Sequence, residues 1–286
     1  MKLLDMLKSN WIYAIFFVFY FLIALGMFGS HPYGILIVLV IYGVSIAIAL
    51  SSAGESLLRY IQGVRRISTK EEREYILPLF QEVYKKAKEK TPELSNNIEI
   101  FISDEMHVNA YAFGRNTIVV TQGLLKTMDE EQIMGVLAHE FGHIVHGHTV
   151  MLLLNVIGNG IFSAFILIFR FIMFFVELLM SGDGFGNFMG SIMRLFAEWS
   201  ILALVWFGNI AVAVNSRKNE FQADEYALKI GFGEGLLSGL YILQQMNMGR
   251  IKNVIERLTA SHPHIAYRIE RLENGGIKKL PYHKDS

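Results

Sequence analysis

The chain has 286 residues, and its 26 lysines and arginines balance its 26 aspartates and glutamates, so the formal net charge is zero. A balanced charge argues against a dedicated nucleic-acid-binding protein, which carries a strong basic excess. The lack of cysteine excludes disulfides, thiolate zinc sites, iron–sulfur clusters and a cysteine nucleophile. Apolar residues make up 52% of the chain and charged residues 18%, against roughly 25% charged in a typical soluble domain.

Long apolar runs predict four transmembrane helices. The runs cover residues 11–29, 33–50, 150–169 and 195–214. A helix needs about 20 residues to cross the roughly 30 Å hydrocarbon core of a bilayer. The first run is too long for the apolar part of a cleavable signal peptide, and the second follows it at once, which indicates a membrane hairpin. The last two runs contain asparagines and also fit buried core helices.

The positions of the lysines and arginines predict how these helices are oriented. Of the 26 cations, 24 lie where four spans would place them on one side of the membrane, and only Arg170 and Arg194 flank the opposite loop. The positive-inside rule assigns the richer side to the cytoplasm. Two cytoplasmic segments would then build one domain. The predicted units are an N-terminal hairpin (1–54), a first domain segment (55–149), a second hairpin (150–215) and a second domain segment (216–286).

The first domain segment is predicted to be mainly helical, with a small sheet. Apolar residues recur with helical spacing over 69–90, with charges on the opposite face. Three short strands follow, at 98–102, 109–113 and 117–121. The turn residue Gly114 lies between the last two strands, which predicts a hairpin. The expected fold class is α+β, mainly helical, with a small antiparallel sheet beside four transmembrane helices.

A helix is predicted from the N-cap Asp129 to about His148, and it carries the H-E-x-x-H pattern. His139 and His143 are four residues apart and lie on one helix face, where two imidazoles can share one zinc ion. Glu140 can stand beside a water on that ion and take its proton at neutral pH as a general base. The alternative is a pair of surface histidines beside a solvated glutamate.

A catalytic zinc needs three protein ligands and one open position. The extended three-histidine pattern fails, because Thr149 stands where the third histidine is required. Glu220 and Asp224 are again four residues apart, so Glu220 can bind the metal while Asp224 accepts the outer N–H of a ligating histidine. A solvated acidic face is the alternative, and cobalt or manganese would suit the same donors. His146 and His148 are expected at the surface, near lipid headgroups.

Several separated motifs, in order along almost the whole chain, resemble the HtpX family of membrane zinc metalloproteases, relatives of the CAAX prenyl protease. The motifs are Asn109-Ala110-Tyr111-Ala112, His139-Glu140-x-x-His143, Ser216-Arg217-x-x-Glu220-x-x-x-Asp224, and Ser261-His262-Pro263 followed by Arg268-Ile269. The resemblance implies a gluzincin-like zincin domain with one zinc ion per subunit on His139, His143 and Glu220, and Glu140 as the general base. It also implies quality-control proteolysis of misfolded or damaged membrane proteins.

Other candidate site residues follow from these motifs. Asn109, Ala110, Tyr111 and Ala112 would form the sheet edge that holds the substrate backbone, or pack as an ordinary strand. His262 could donate a hydrogen bond to the tetrahedral oxyanion, or cap the chain before Pro263. Arg217 could support Glu220 or Asp224, or serve only as a membrane anchor.

The expected protein is a stress-response metalloendopeptidase of a bacterial-type or archaeal cell membrane, with its catalytic domain in the cytoplasm. Its expected partners are the lipid bilayer and membrane-protein or unfolded polypeptide substrates, with no nucleic acid. Two alternatives stay open: a CAAX-type protease of prenylated proteins, and a membrane chaperone or scaffold with a metal site but no proteolytic activity. The sequence makes no prediction of the oligomeric state.

Overall fold

The computed structural model describes residues 32–154, 218–247 and 265–275, with six further single positions. These positions are Val18, Phe21, Leu22, Leu25, Ile168 and Phe171. Most of the first predicted span, and the third and fourth beyond residue 154, therefore lie outside the described residues. Arg217 and His262 lie outside them as well.

The second predicted span corresponds to helix α1 (Gly34–Leu50), which leads directly into helix α2 (Ser52–Ile61). Ser51 separates the two helices because its backbone is extended and its hydroxyl accepts a hydrogen bond from the Gly54 N–H, as an N-cap does. Within the described residues, length and hydropathy do not qualify any single helix as a membrane span. Only α1 and α2 taken together qualify, and they are bent by 74°.

Helix α3 (Lys70–Lys90) begins with a capping box, in which the Thr69 hydroxyl and the Glu72 carboxylate each accept a backbone N–H at the helix start. Its apolar stripe is buried. The buried residues are Ile76, Leu79, Phe80, Val83 and Ala87. This helix closely matches the predicted range 69–90.

Within the described part of the chain, the sheet has three strands, β1 (Glu99–Ser103), β2 (Ala110–Phe113) and β3 (Thr117–Thr121), in the order β1-β3-β2. β2 and β3 form the predicted antiparallel hairpin, but β1 pairs in parallel with β3. The prediction of an antiparallel sheet is therefore wrong, and the sheet is mixed. After β1 the chain does not form the neighbouring strand but the outer strand, β2. It then turns back, and β3 fills the central place between β1 and β2.

Short helix α4 (Gln122–Thr127) precedes helix α5 (Glu130–Val145), which starts at a capping box between Asp129 and Gln132. The predicted end near His148 is wrong, because the helix stops at Val145. Gly147 has a left-handed backbone, with φ 72°, and a new helix α6 (His148–Leu153) starts after it. Glycine adopts this conformation at little cost, whereas other residues are strained there.

The residues described in the C-terminal part of the chain add three helices to the same core. They are α7 (218–229 as described), α8 (Gly233–Asn247) and α9 (Ile265–Asn274). One hydrophobic cluster joins apolar side chains of α3, the sheet and α5 to side chains of α7, α8 and α9. α5 and α8 approach closely, because Gly135 on α5 lies against the backbone of Leu236. The fold is thus mainly helical with a small mixed sheet, and both segments of the chain build its core.

A buried carboxylate ties α2 to the β2–β3 turn. Glu55, 6% exposed, accepts a hydrogen bond from the Arg115 backbone N–H at 2.6 Å and another from the Thr117 hydroxyl at 3.1 Å. Gly114, which directly precedes Arg115, has a left-handed backbone with φ 67°. A Cβ on Gly114 would overlap the Glu55 carboxyl group.

Gly114→Ala is therefore expected to destabilise the protein by about 2–5 kcal/mol, from left-handed strain plus the lost hydrogen bonds of Glu55. Thermal unfolding of the detergent-purified chain measures this change. Gly63→Ala is the matched control, because Gly63 has φ 61° and open space around its Cα, so it should lose only about 1–2 kcal/mol. Equal losses at both positions would show that the Glu55 contact contributes nothing.

Candidate metal centre

Close crossing of α5 and α7 positions the side chains of the H-E-x-x-H motif and those of Glu220 and Asp224. Gly142 makes this crossing possible, since a Cβ there would lie 2.7 Å from the Cα of Ala223. Any larger residue on this face of α5 would force the helices apart. The sequence between the two histidines therefore includes the contact point that brings the later acidic residues to them.

Three side chains converge at this crossing. His139 Nε2 and His143 Nε2 lie 3.2 Å apart, and the Glu220 carboxylate lies 3.4 Å from the first and 3.3 Å from the second. Ligand atoms placed about 2.0–2.1 Å from a tetrahedral zinc ion would be about 3.3 Å from one another. The three separations fit that geometry, and these residues form a group that could hold a metal ion.

The buried negative charges around this group also favour binding of a cation. Glu140, Glu220 and Asp224 are 6%, 1% and 3% exposed, so three carboxyl groups lie out of water within one small region. Buried carboxylates are costly unless a cation or hydrogen-bond donors compensate them. Two imidazoles and a carboxylate are also a common donor set for a catalytic zinc ion. The residues present therefore fit zinc in both donor type and spacing.

Asp224 contacts the outer nitrogen of His139. Its Oδ1 atom lies 2.9 Å from His139 Nδ1, so the carboxylate accepts the Nδ1–H and leaves Nε2 facing Glu220. Burial lowers the pKa of His139 and the charge of Arg268 lowers it further, but the hydrogen bonds with Asp224 and Glu220 outweigh both and raise it to about 9. A proton and a metal ion therefore compete for this imidazole.

Arg268 of helix α9 completes the charge arrangement. Its guanidinium donates to both oxygens of Asp224, at 2.9 and 2.6 Å, and pairs with Glu220 at 3.0 Å. Burial raises the pKa of Asp224, but the charge of Arg268 and the hydrogen bond from His139 hold it below its usual value. Among the described residues, Arg268 is the one lysine or arginine that is buried. Arg268 belongs to one of the motifs that resemble the HtpX family, but the sequence alone predicts no role for it.

His148 is also part of the centre, so its predicted surface position is wrong. It is 5% exposed, and its Nδ1 lies 3.0 Å from His143 Nδ1. Burial, with the nearby imidazoles of His143 and His146, lowers the pKa of His148 to about 2. His146 is partly buried, and its Nδ1 faces the Gly142 carbonyl at 2.8 Å. On one continuous helix, His148 would point away from His143. Because the helix is interrupted at Gly147, the ring of His148 instead faces that of His143.

β2 lies alongside α5 and forms the edge of the sheet. Within the described residues, β3 is its one strand neighbour. Ala110 and Tyr111 are partly exposed and Ala112 is buried, while the exposed Asn109 is tied to β3 by its backbone, which exchanges hydrogen bonds with Thr121. The structure thus places the predicted substrate-binding segment at a sheet edge alongside the helix that carries the H-E-x-x-H motif.

Comparison with known proteins agrees with this geometry. The family model for peptidase family M48 matches residues 71–275. The chain is 30% identical over 225 residues to Protease HtpX of Ectopseudomonas mendocina, and the match covers 71% of this chain and 73% of that protein. The chain belongs to the HtpX group of peptidase family M48. The resemblance predicted from the motifs is therefore confirmed, and this membership identifies the chain as a zinc metalloprotease.

Two further comparisons define the extent of the likeness. Over 199 residues the chain is 30% identical to the Protease HtpX homolog of Fusobacterium nucleatum, spanning 61% of this chain and 62% of that relative. The fold is similar to the crystal structure of S. mikatae Ste24p, with a TM-score of 0.55 and 23% identity, covering 94% of this chain and 65% of that one. This structural likeness supports the fold.

Proposed function

We propose that this HtpX-group protein is a membrane-bound endopeptidase that cleaves misfolded or damaged membrane proteins and unfolded polypeptides. The observation that carries the proposal is the convergence of His139, His143 and Glu220 within ligand distance of one ion, with Glu140 buried on the same helix. Metal-dependent peptide hydrolysis needs such a site together with a positioned general base.

The proposed metal ligands are His139, His143 and Glu220. Zinc bound there would act as a Lewis acid towards water and a peptide carbonyl. Asp224 would hold the ring of His139 in the tautomer that leaves Nε2 free, and the ion pair with Arg268 would hold Asp224.

Glu140 is the proposed general base. It adjoins His139 on α5, and its side chain is shielded from bulk water. Its carboxylate would take a proton from the attacking water and pass that proton to the leaving amine. His262 is proposed as a hydrogen-bond donor to the oxyanion, and Arg217 as a support for the acidic residues of α7.

β2 is the proposed binding site for the substrate backbone. An extended peptide can pair with the outer edge of a sheet through main-chain hydrogen bonds. The segment from Asn109 to Ala112 offers such an edge beside α5, and the small side chains of Ala110 and Ala112 would allow a second backbone to approach. Main-chain pairing is largely independent of substrate side chains, which suits an enzyme that cleaves unfolded polypeptides.

The proposed setting is the cell membrane, crossed by four helices in two hairpins, with the domain segments 55–149 and 216–286 in the cytoplasm. The long apolar runs and the distribution of cations in the sequence support this arrangement. The many exposed apolar side chains of α1 also fit contact with lipid. Those more than half exposed are Ile35, Leu36, Leu39, Val40 and Val44.

Removal of the metal from the full chain, purified in detergent, is expected to abolish cleavage of casein and of an unfolded membrane protein. Restoring zinc should restore cleavage, because the ion supplies the Lewis acid of the reaction. Product formation on gels, before and after chelator treatment and zinc addition, measures this. Cleavage that persists after the metal has been removed would contradict the proposal.

A prenylated C-terminal peptide in the same assay distinguishes the CAAX-type alternative. The proposed function predicts that unfolded membrane protein is cleaved faster than this peptide. Preference for the prenylated peptide would identify a CAAX-type protease. A protein that binds zinc and prevents aggregation, yet cleaves none of these substrates, would be a chaperone or scaffold.

A further inference from the structure

His148 lies between the proposed ligand His143 and Gln222 of helix α7. Its Nδ1 is 3.0 Å from His143 Nδ1, and its Nε2 is 3.1 Å from the side-chain oxygen of Gln222. The three side chains therefore form a hydrogen-bonded row that starts on α7, passes through α6 and ends on the imidazole of α5. Both nitrogens of the buried His148 ring are in contact with polar atoms.

The chemistry of this row assigns its protons. The Gln222 oxygen can only accept, so His148 Nε2 carries the hydrogen and donates it. A neutral imidazole has one N–H, which makes His148 Nδ1 an acceptor. His143 Nδ1 must then be the donor in the contact between the two rings. His143 Nε2 is left with a free lone pair, and this is the atom that faces His139 and Glu220.

We infer that His148 and Gln222 are positioning residues that fix the tautomer and ring orientation of His143. The inference rests on the ligand set in the proposed function. Neither residue contacts the atoms that would hold the ion; each acts through His143. Groups that accept the outer N–H of a ligating histidine typically change metal affinity by 10- to 100-fold when they are removed.

The two proposed histidine ligands are thus held by different groups. His139 donates to the carboxylate of Asp224, which is itself paired with Arg268, whereas His143 donates to a neutral imidazole. A neutral acceptor orients the ring and adds no further negative charge to a region that already contains three buried carboxyl groups. This difference gives a physical reason for a histidine at position 148.

Zinc affinity of the full chain in detergent, measured by competition with a chromophoric chelator, tests the inference. His148→Leu removes the acceptor and is expected to weaken zinc binding about 10- to 100-fold. His148→Asn places a side-chain oxygen where Nδ1 stands, so it should recover most of the lost affinity. Gln222→Leu should weaken binding in the same direction as His148→Leu, and Gln222→Glu, which keeps an acceptor, should weaken it less.

His146→Asn is the matched control. His146 stacks beside His148, but its Nδ1 faces the Gly142 carbonyl, so the affinity should not change. Thermal unfolding in excess chelator shows whether each variant folds; if His148→Leu does not fold, the Gln222 pair decides. Wild-type affinity in folded His148→Leu or Gln222→Leu, or no recovery with asparagine, would overturn the inference. His143→Ala tests the ligand set separately, because unchanged zinc binding there would contradict the proposed function itself.

Discussion

Glu140→Gln is expected to lower the rate of peptide hydrolysis by about 10²- to 10⁴-fold, the range that general-base catalysis contributes. Glutamine has nearly the shape of glutamate but cannot accept the proton of the attacking water at neutral pH. The three proposed ligands are unchanged, so zinc should remain bound at one ion per chain. Single-turnover cleavage of casein, with metal analysis of the same preparation, measures both quantities.

The control for this prediction is Glu131→Gln. It makes the same chemical change on the same helix, at an exposed residue of the first turn. Activity close to wild type is expected there. If Glu140→Gln kept wild-type turnover with full zinc content, Glu140 could not be the base. If it lost its zinc, the loss of activity would reflect the metal site instead.

Arg268→Met is expected to destabilise the metal-free protein by about 3–5 kcal/mol, the usual cost of removing one partner from a buried ion pair. Methionine fills much of the volume of the arginine but leaves the carboxylates of Asp224 and Glu220 without their guanidinium partner. Both carboxylates are almost fully buried, so water cannot replace the lost contacts. Thermal and denaturant unfolding in excess chelator measure the change without a contribution from bound zinc.

Arg271→Met is the matched control on the same helix, because Arg271 is exposed and its guanidinium lies over the ring of Phe221. A loss below about 1 kcal/mol is expected there. Arg268→Lys should fall between the two, since an ammonium group keeps the charge but cannot bond both oxygens of Asp224 in a fork. Equal stability of Arg268→Met and Arg271→Met would show that the buried pair does not support the fold.

Local patterns were sufficient to predict α3, most of α5 and the helical spacing within two pairs, His139 with His143 and Glu220 with Asp224. Residues four apart on a helix share a face whatever the rest of the chain does, so the candidate ligands could be identified without a structure. The two helices come together through Gly142, but a glycine within a helix does not by itself reveal its neighbour.

Features that depend on distant contacts or on one backbone angle could not be predicted. β1 pairs with β3, although β2 lies between them in the sequence, and no short-range pattern specifies that order. On a continuous helix His148 would point away from His143, but the left-handed backbone at Gly147 interrupts the helix before it. The role of Arg268 was hidden because Asp224, the carboxylate with which it pairs, lies 44 residues earlier in the chain.

The wide separation of Arg268 from His139 also sets the order in which the site can be built during translation. The ribosome synthesises the H-E-x-x-H helix first, then Glu220 and Asp224, and the arginine only 129 residues after His139. A nascent chain that has not yet reached this point has the histidines but not the cation that pairs with the acidic residues. The ion pairs that hold Asp224 and Glu220 can therefore form only after residue 268 has been synthesised, so the two chain segments of the domain must both be present before this charge arrangement is complete.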